Sequence, residues 1–121
     1  MIEINGKNIH INGINFNIPY RIEQNREYLI LDDRIIVVFD IEEFKEKNNV
    51  YCYNFFGEIL WKIKNPSKAI AGNINTSWYV GINLNKKNEC VVIDFYGRNF
   101  LINTETGEPI AMLMCAKWGF L

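Results

Sequence analysis

The residue types that catalyse reactions are sparse in this sequence, and their spacing forms no catalytic set. A nucleophilic side chain needs a neighbouring base, which is most often a histidine. The one histidine, His10, lies between Ile9 and Ile11 in an alternating stretch, so its ring points away from these neighbours and towards solvent. No zincin, esterase, dinucleotide-binding or phosphate-loop motif is present. We therefore expect a protein without enzymatic activity and without catalytic residues.

The three cysteines predict neither a disulfide framework nor a metal centre. Cys52, Cys90 and Cys115 are an odd number of widely spaced thiols, and no two of them form a CxxC pair. With a single histidine beside them, they do not match the ligand spacing of a structural zinc site. Each lies within or beside an apolar stretch, which is typical of buried, unreactive thiols. We expect no bound metal and no cofactor.

Cysteine usage, charge and the first residues also bear on the compartment. Free thiols indicate a reducing environment. The beginning, MIEINGKNIHING, lacks the basic start and long apolar run of a signal peptide, and no apolar run is long enough to cross a membrane. The net charge of −1 lacks the basic excess that binds nucleic-acid phosphates or anionic membranes. We expect a cytoplasmic protein that binds neither nucleic acid nor a membrane.

Carboxylates are concentrated in one stretch of the chain. They are Asp32, Asp33, Asp40, Glu42, Glu43 and Glu46. Nothing in their spacing makes two of them face each other across a cleft, as the acid and base of a glycosidase would. The stretch is either a solvated loop or a recognition surface, and acidic loops suit a basic partner and steer its association. We take Asp32, Asp33, Glu42 and Glu43 as candidate partner-binding residues.

Three aromatic residues lie where burial is difficult. Aromatic residues make up 14% of the chain, and most of them fall in predicted strands, where they belong to the core. Phe55, Phe56 and Tyr96 fall instead in predicted hairpin tips. An exposed aromatic side chain in a turn often marks an interface. We add these three residues to the candidate partner-binding set.

The elements that position these residues begin with a three-stranded meander. Asn5-Gly6 and Asn12-Gly13 separate three short segments, and Asn-Gly favours the two-residue type I′ turn because both residues tolerate positive φ. Apolar residues alternate strictly between these turns, so one face of the meander is buried and the other is wet. Pro19 ends the third strand, since it cannot donate to a ladder.

The rest of the chain predicts further antiparallel strands with short connections. The apolar run at residues 35–39 does not alternate, which is typical of a central strand covered on both faces. Residues 41–48 form a short helix or a polar loop, and residues 64–75 form a connector. The remaining strands are predicted at residues 20–23, 28–31, 34–40, 49–54, 59–64, 76–83, 89–95, 99–103 and 109–115. We expect residues 1–121 to form a single all-β domain.

The strands after the meander form an internal repeat, approximately residues 28–64 and 76–115. A shift of 50 places Asn49 on Asn99, Gly57 on Gly107 and Glu58 on Glu108. A shift of 54 places residues 37–40 on residues 91–94, and residues 28–30 lie near residues 78–80. The glycines supply the positive φ that a hairpin loop with a G1 bulge needs. The repeat predicts two similar four-strand units in meander order.

The two halves of the repeat resemble blades of a β-propeller. The stretch NVYCYNFFGEILWKI at residues 49–63 is similar to the outer hairpin of a quinoprotein-like or WD-like blade, and FLINTETGEPI at residues 100–110 is similar to a second copy. Trp61 matches the blade tryptophan, whereas Ala111 departs from the pattern. Two blades cannot close a ring. The resemblance therefore implies either a half-propeller or two meanders packed face to face as a sandwich.

The overall form resembles that of bacterial immunity proteins, which neutralise a cognate toxin. The resemblance rests on a compact β domain with the N-, I- and K-rich composition of AT-rich genomes, which ends in KWGFL. It implies a non-enzymatic protein that occludes the active site of a basic toxin domain, such as a nuclease. The alternative is a structural module that oligomerises through exposed β edges, for example as a homodimer. A small-molecule-binding or hydrolytic domain ranks last, because convergent polar groups are missing.

Overall fold

The computed structural model describes residues 2–113 of the chain. Within this range it is all-β, as predicted, and consists of three antiparallel sheets. The N-terminal sheet contains β1 (Ile2–Asn5), β2 (Asn8–Ile11) and β3 (Ile14–Asn17). The middle sheet contains β4 (Tyr28–Ile30), β5 (Arg34–Val38), β6 (Val50–Asn54) and β7 (Ile59–Lys62). The C-terminal sheet contains β8 (Tyr79–Leu84), β9 (Cys90–Asp94), β10 (Asn99–Ile102) and β11 (Pro109–Leu113). The predictions for Cys115 and for residues 114–115 of the last strand lie outside the described residues.

The turns of the N-terminal sheet differ from each other. In the second turn Asn12 and Gly13 both have positive φ, which confirms the predicted type I′ turn. In the first turn the register pairs Asn5 with Asn8, so the central residues are Gly6 and Lys7 and not Asn5 and Gly6. Of these two, Gly6 alone has positive φ, the pattern of a type II′ turn. The prediction of type I′ is wrong there, because strand pairing extends one residue further than the Asn-Gly signal indicates.

The middle sheet is covered on both faces. Ile36 and Val38 in β5 are fully buried and belong to a cluster that is shared with the C-terminal sheet. Ile35 and Val37 belong to a second cluster shared with the N-terminal sheet. This alternation confirms that residues 35–39 form a central strand, and it makes the protein a stack of three sheets.

The two four-stranded sheets have the same strand order, and the registers of their central strand pairs match, whereas the registers of their last hairpins differ by one residue. Val38 pairs with Val50 in the middle sheet, and Val92 pairs with Phe100 in the C-terminal sheet, in agreement with shifts of 54 and 50. The first strands match differently from the expectation. Tyr28 pairs with Val37, and Asn83 pairs with Val91, which corresponds to Val37. Tyr28 therefore corresponds to Asn83, and the placement of residues 28–30 on residues 78–80 is wrong.

Three hairpin loops share one construction. The first residue is Asn or Asp, and its Oδ1 accepts hydrogen bonds from the backbone N–H groups two and four residues later, at 2.9–3.0 Å. The fourth residue has positive φ, which glycine and asparagine tolerate best. The first and fourth residues are Asn54 and Gly57, Asn85 and Asn88, and Asp94 and Gly97. The side chain therefore replaces backbone partners at the tip and makes each loop rigid.

The longer connections contain one helical turn each. The segment after Asp40 forms α1 (Ile41–Phe44), and Asp40 caps it by accepting from the N–H of Glu42. The connector after Lys64 contains α2 (Lys68–Ala71), which sequence patterns did not predict. The strand predicted at residues 20–23 is reduced to an isolated bridge between Ile22 and Phe39. Both helices are single turns, so the core is built by the sheets.

Candidate functional site

The predicted partner-binding residues lie at two opposite ends of the strands. Strand β5 runs away from Asp32 and Asp33 and leads towards Glu42 and Glu43 in α1. We call the first of these the loop end; it carries the turns at residues 31–33, 55–58, 85–89 and 103–108. We call the other the helix end; it carries α1 and the turn at residues 95–98. The structure therefore brings Asp32, Asp33, Phe55 and Phe56 together and leaves Glu42, Glu43 and Tyr96 at the other end.

A buried arginine joins two turns of the loop end. The Arg34 side chain is 13% exposed, and its Nε and Nη2 donate to the two carboxylate oxygens of Asp33 at 2.8 and 3.0 Å. Its Nη1 donates to the carbonyl oxygen of Thr104 at 3.1 Å, and its Nη2 lies 3.5 Å from a carboxylate oxygen of Glu105. The hydrogen bond from Arg34 lowers the pKa of Asp33, so this carboxylate stays charged. A bidentate pair of this kind holds the two loops in one relative position.

A tryptophan also fixes the turn at residues 103–108. Trp61 Nε1 donates to the carbonyl oxygen of Thr104 at 2.7 Å, so this carbonyl accepts from both Trp61 and Arg34. The indole also packs directly on Gly107, where an added methyl group would overlap the ring. Gly107 has a φ of +76°, which glycine adopts without strain. The turn at residues 103–108 is therefore preorganised, although it lies on the surface.

Phe56 is the most exposed large apolar residue of the loop end. It is 70% exposed, whereas its neighbour Phe55 is partly buried against the N-terminal sheet. The N–H of Phe56 donates to Asn54 Oδ1 at 2.9 Å, which fixes the backbone of the tip. Gly57 follows at positive φ, and a methyl group added there would lie 2.7 Å from the side chain of Phe16. Phe56 is thus an aromatic side chain held in solvent by a rigid turn.

A shallow groove of about 320 Å³ adjoins Phe55. It is lined by Ile2, Ile11, Asn12, Ile30, Leu31, Asp32 and Phe55. Its walls come from the N-terminal sheet and from the first turn of the middle sheet, and most of them are apolar. The groove therefore extends the apolar surface beside the candidate residues Asp32 and Phe55.

The charge of the loop end is acidic. The turns at residues 31–34, 55–58, 85–89 and 103–108 contain six carboxylates, namely Asp32, Asp33, Glu58, Glu89, Glu105 and Glu108. The same segments contain three cations, Arg34, Lys86 and Lys87, and Arg34 is paired with Asp33. Glu108 has a cation from elsewhere, because Lys64 Nζ lies 3.3 Å from it. Asp32, Glu58 and Glu105 are exposed at this end, and its carboxylates outnumber its cations, so its field attracts positive charge.

Two acidic residues of the helix end, Asp40 and Glu43, form internal ion pairs. Glu43 binds Lys7 at 3.0 Å and Arg21 at 2.9 Å, and it also accepts from the backbone N–H of Arg21. The hydrogen bond from Lys7 lowers the pKa of Glu43. Arg21 binds Asp40 as well, at 3.1 Å. Glu43 therefore ties the N-terminal sheet to α1, while the neighbouring side chain of Glu42 is exposed.

Tyr96 is exposed at the tip of the β9–β10 turn. It is 61% exposed, and the adjacent Phe95 is 54% exposed. Their rings are in edge contact at 5.3 Å, and the guanidinium of Arg98 lies 5.2 Å from the ring of Tyr96. Arg98 is in turn held by Asp94 at 2.7 Å. Tyr96 is thus a second fixed aromatic tip, far from Phe56.

The described residues with nucleophilic or metal-binding side chains do not cluster. Cys52 and Cys90 are buried, and burial raises the pKa of each thiol to about 12. His10 Nδ1 lies 2.9 Å from Asn15 Oδ1 on the polar face of the N-terminal sheet. Within residues 2–113 no group of three or more potential ligands could hold a metal ion. No helix in this range is both long and apolar enough to span a bilayer.

Two features of this surface were missed by sequence reasoning. Arg34 and Thr104 meet at the loop end although they are 70 residues apart, and no local pattern indicates that pairing. The edge strands β7 and β11 expose apolar side chains, namely Ile59, Leu60, Ile110 and Met112, each 41–51% exposed. The repeat could have indicated this second feature, because a shift of 50 places Leu60 on Ile110.

Comparison with known proteins gives a single family. A family model described as "Domain of unknown function (DUF7957)" matches residues 1–112. No curated protein and no solved structure matches the chain. The resemblances to β-propeller blades and to immunity proteins stay predictions.

Proposed function

The chain belongs to the DUF7957 family, and from this premise we propose that it is a non-enzymatic protein-binding domain whose loop end is the binding surface. Its most suitable partner is a basic protein domain. The specific form of the proposal is an immunity protein that neutralises a cognate toxin, such as a nuclease, by occluding its active site.

The observation that carries this proposal is the exposed Phe56 at an end of the strands where carboxylates outnumber cations. Interfaces depend on a few aromatic anchors that pack into a pocket of the partner. Phe56 is 70% exposed, and Asn54 holds its backbone, so little conformational entropy is lost when it binds. Exposed carboxylates such as Asp32 and Glu105 lie at the same end of the strands as this anchor, and they steer a basic partner towards that end.

The chemistry of a nuclease complements this surface. An enzyme that cleaves nucleic acid presents basic side chains around its active site, because it must bind phosphates. Exposed carboxylates can occupy the positions of those phosphates. A rigid aromatic tip at the same end can fill the cleft, so the acidic loop end would block access of the substrate.

The proposal is tested by co-expression with the product of the adjacent gene in a bacterial host. If that product inhibits growth, wild-type protein should relieve the inhibition and bind it. Phe56→Ala should weaken binding by about 2 kcal/mol or more, as truncation of an interface anchor does. The triple variant Asp32→Asn, Glu58→Gln, Glu105→Gln should slow association, and the effect should shrink at high salt.

Matched variants locate the surface. Glu3→Gln removes one exposed charge from the polar face of the N-terminal sheet and should leave affinity unchanged. The pair Glu42→Gln and Tyr96→Ala tests the helix end, where the sequence also placed candidate residues. Loss of binding in that pair alone would move the interface to the helix end. An adjacent product that is neither toxic nor bound would refute the immunity function.

The exposed strand edges favour one alternative, a module that oligomerises. Leu60 in β7 is 41% exposed and Ile110 in β11 is 51% exposed, and unpaired apolar edges can join another chain. Light scattering distinguishes the two functions. A strict monomer of 14.2 kDa rules out the module, whereas a dimer that Leu60→Lys or Ile110→Lys dissociates supports it.

A further inference from the structure

Two strands of neighbouring layers end their sheets on the same side of the molecule. β1 is an edge strand of the N-terminal sheet, and β4 is an edge strand of the middle sheet. Ile2 and Ile30 line the groove of about 320 Å³ described above, while Ile4 and Tyr28 line a second cavity of about 170 Å³. The two edges therefore run beside each other, and these apolar side chains line the openings between them.

The backbone of β1 has free hydrogen-bonding groups along this edge. The register around the two-residue turn makes Glu3 and His10 a hydrogen-bonded pair, so Glu3 exchanges its bonds with β2. The N–H and C=O groups of Ile2 and Ile4 then point to the outer side of the sheet. They have no partner in the described part of the chain. β1 is therefore an open template for another strand.

The edge strand β8 shows how the same chain closes such an edge. The N–H of Ile82 donates to Glu27 Oε1 at 2.9 Å, and the pairing of β8 with β9 shifts its register between Tyr79 and Gly81. A capped amide and an irregular register both hinder the pairing of a further strand. Within residues 2–113 no side chain caps the outward groups of β1 in this way.

We propose that β1 takes up an extended peptide of a partner protein as an additional antiparallel strand. Antiparallel pairing is the more stable arrangement, and strand addition of this kind is a general mode of peptide recognition. Alternate side chains of the peptide then point towards the middle sheet, where Ile30 is 39% exposed, so these side chains are apolar. This is a second binding site, and it does not depend on the toxin-neutralising function proposed above.

Glu3 determines the charge of the peptide. It is the only charged residue of β1, and it is exposed on the polar face of the N-terminal sheet. Its side chain forms no ion pair with the described residues. The peptide residue opposite Glu3 belongs to a non-hydrogen-bonded pair, in which the side chains are closest. A lysine or arginine between two apolar residues therefore fits this position.

A second copy of the chain is a poorer occupant of this edge. The two-fold register that uses the outward groups of Ile2 and Ile4 would pair each of them with the other residue in the second copy. Glu3 of one copy would then lie directly opposite Glu3 of the other, and like charges in this position destabilise a strand pair. We therefore assign the edge to a peptide of another protein that alternates apolar and basic residues.

Nuclear magnetic resonance titration of the full chain with capped synthetic peptides tests the site. Val-Lys-Val-Lys-Val should shift the amide signals of residues 2–5 and 28–30. Val-Glu-Val-Glu-Val should bind at least about fivefold more weakly, because its carboxylate faces Glu3. N-methylation of the central valine of the lysine peptide should abolish binding, since this N–H faces β1. N-methylation of either lysine should leave binding unchanged, because that N–H points away from β1.

Charge reversal assigns the specificity to one residue. Glu3→Lys should bind the glutamate peptide more tightly than the lysine peptide. Glu46→Lys makes the same change of net charge at another exposed position and should keep the preference for lysine. Equal binding of the valine-methylated and lysine-methylated peptides, or of the lysine and glutamate peptides, would overturn the proposal even if a variant failed to fold. A wild-type dimer that Glu3→Gln strengthens would assign the edge to a second copy instead.

Discussion

At the scale of single residues, buried amides connect the sheets. Asn49 is fully buried and makes three hydrogen bonds of 2.8 Å: its Nδ2 donates to the carbonyl oxygens of Phe39 and Tyr79, and its Oδ1 accepts from the N–H of Tyr79. Phe39 follows the middle sheet and Tyr79 begins the C-terminal sheet. The side chain therefore acts as a short piece of backbone between two layers. Its removal leaves three buried polar groups without partners, which costs more than the bonds contribute.

The first prediction concerns this amide. Asn49→Ala should lower the free energy of unfolding by about 3 kcal/mol or more, because each orphaned buried group costs about 1–3 kcal/mol. Asn8→Ala is the control, since Asn8 donates to Asn17 at an exposed position. It should change stability by no more than about 0.5 kcal/mol. Urea denaturation of both variants measures the difference, and equal losses would contradict the connecting role.

The second prediction concerns Gly107 below the indole of Trp61. Gly107→Ala should destabilise the protein by about 1–2 kcal/mol for the positive φ and by about 1–3 kcal/mol more for overpacking against the ring. Gly13→Ala is the matched control. It has a φ of +82°, but an added methyl group would have no atom within 4 Å. Urea denaturation should therefore show the larger loss at Gly107, and a double variant with Trp61→Leu should recover part of it.

At the scale of elements, ion pairs and loops decide how the layers are joined. Glu43 in α1 holds Lys7 of the N-terminal sheet and Arg21 of the following segment. At the other end, Arg34 joins the β4–β5 turn to the β10–β11 turn. The acidic stretch of the sequence is therefore split in two. Asp33, Asp40 and Glu43 are used for internal attachment, whereas Asp32, Glu42 and Glu46 are exposed.

The third prediction follows from Glu43. Glu43→Gln keeps the shape of the side chain but removes its charge, so hydrogen exchange should accelerate in residues 2–18 and stay unchanged in β8–β11. Glu42→Gln, whose side chain is exposed, should change neither. The pKa of Glu43 is lowered from 4.5, so this attachment is complete above pH 4.5 and is lost as the pH falls through the lowered value. Mass spectrometry of exchange at several pH values measures both effects.

At the scale of the whole molecule, the middle sheet makes the three layers interdependent. Both of its faces are buried, and Cys52 and Cys90 lie in the cluster that it shares with the C-terminal sheet. Loss of either outer layer would expose one face of β5. We therefore expect the layers to unfold together, with the thiols protected until the whole stack opens.

The fourth prediction is a loss of stability in alkali. The pKa of Cys90 is raised by burial from 9.0 to about 12, so the unfolded thiol ionises before the native one. The contribution of this pKa difference to the free energy of unfolding is complete below pH 9 and is lost as the pH rises towards 12. Cys90→Ala should therefore reduce the slope of unfolding free energy against pH in this window. Tyr53 and Tyr79, whose pKa values are also raised by burial, remain in both proteins and supply the common background.

Local patterns predicted the elements because their causes are local. Alternation assigned the buried faces of β2 and β3, and Asn-Gly placed the second turn of the N-terminal sheet. The shift of 50 predicted a hairpin with a positive-φ glycine in each larger sheet, at Gly57 and Gly107, but the registers of these hairpins differ by one residue. The first turn was misplaced by one residue, because pairing of Asn5 with Asn8 outweighed the turn preference.

The sequence alone therefore determined an all-β chain with a meander and two similar four-stranded units. It also identified the residues whose types suit a partner, such as Asp32 and Phe56. Only the tertiary structure decided that Asp32 and Phe56 share one end of the strands while Glu43 is engaged at the other. The physical reason is that β periodicity and turn preference act between neighbouring residues. The order of layers instead depends on long-range contacts, such as Asn49 with Tyr79 and Arg34 with Thr104, which no local pattern encodes.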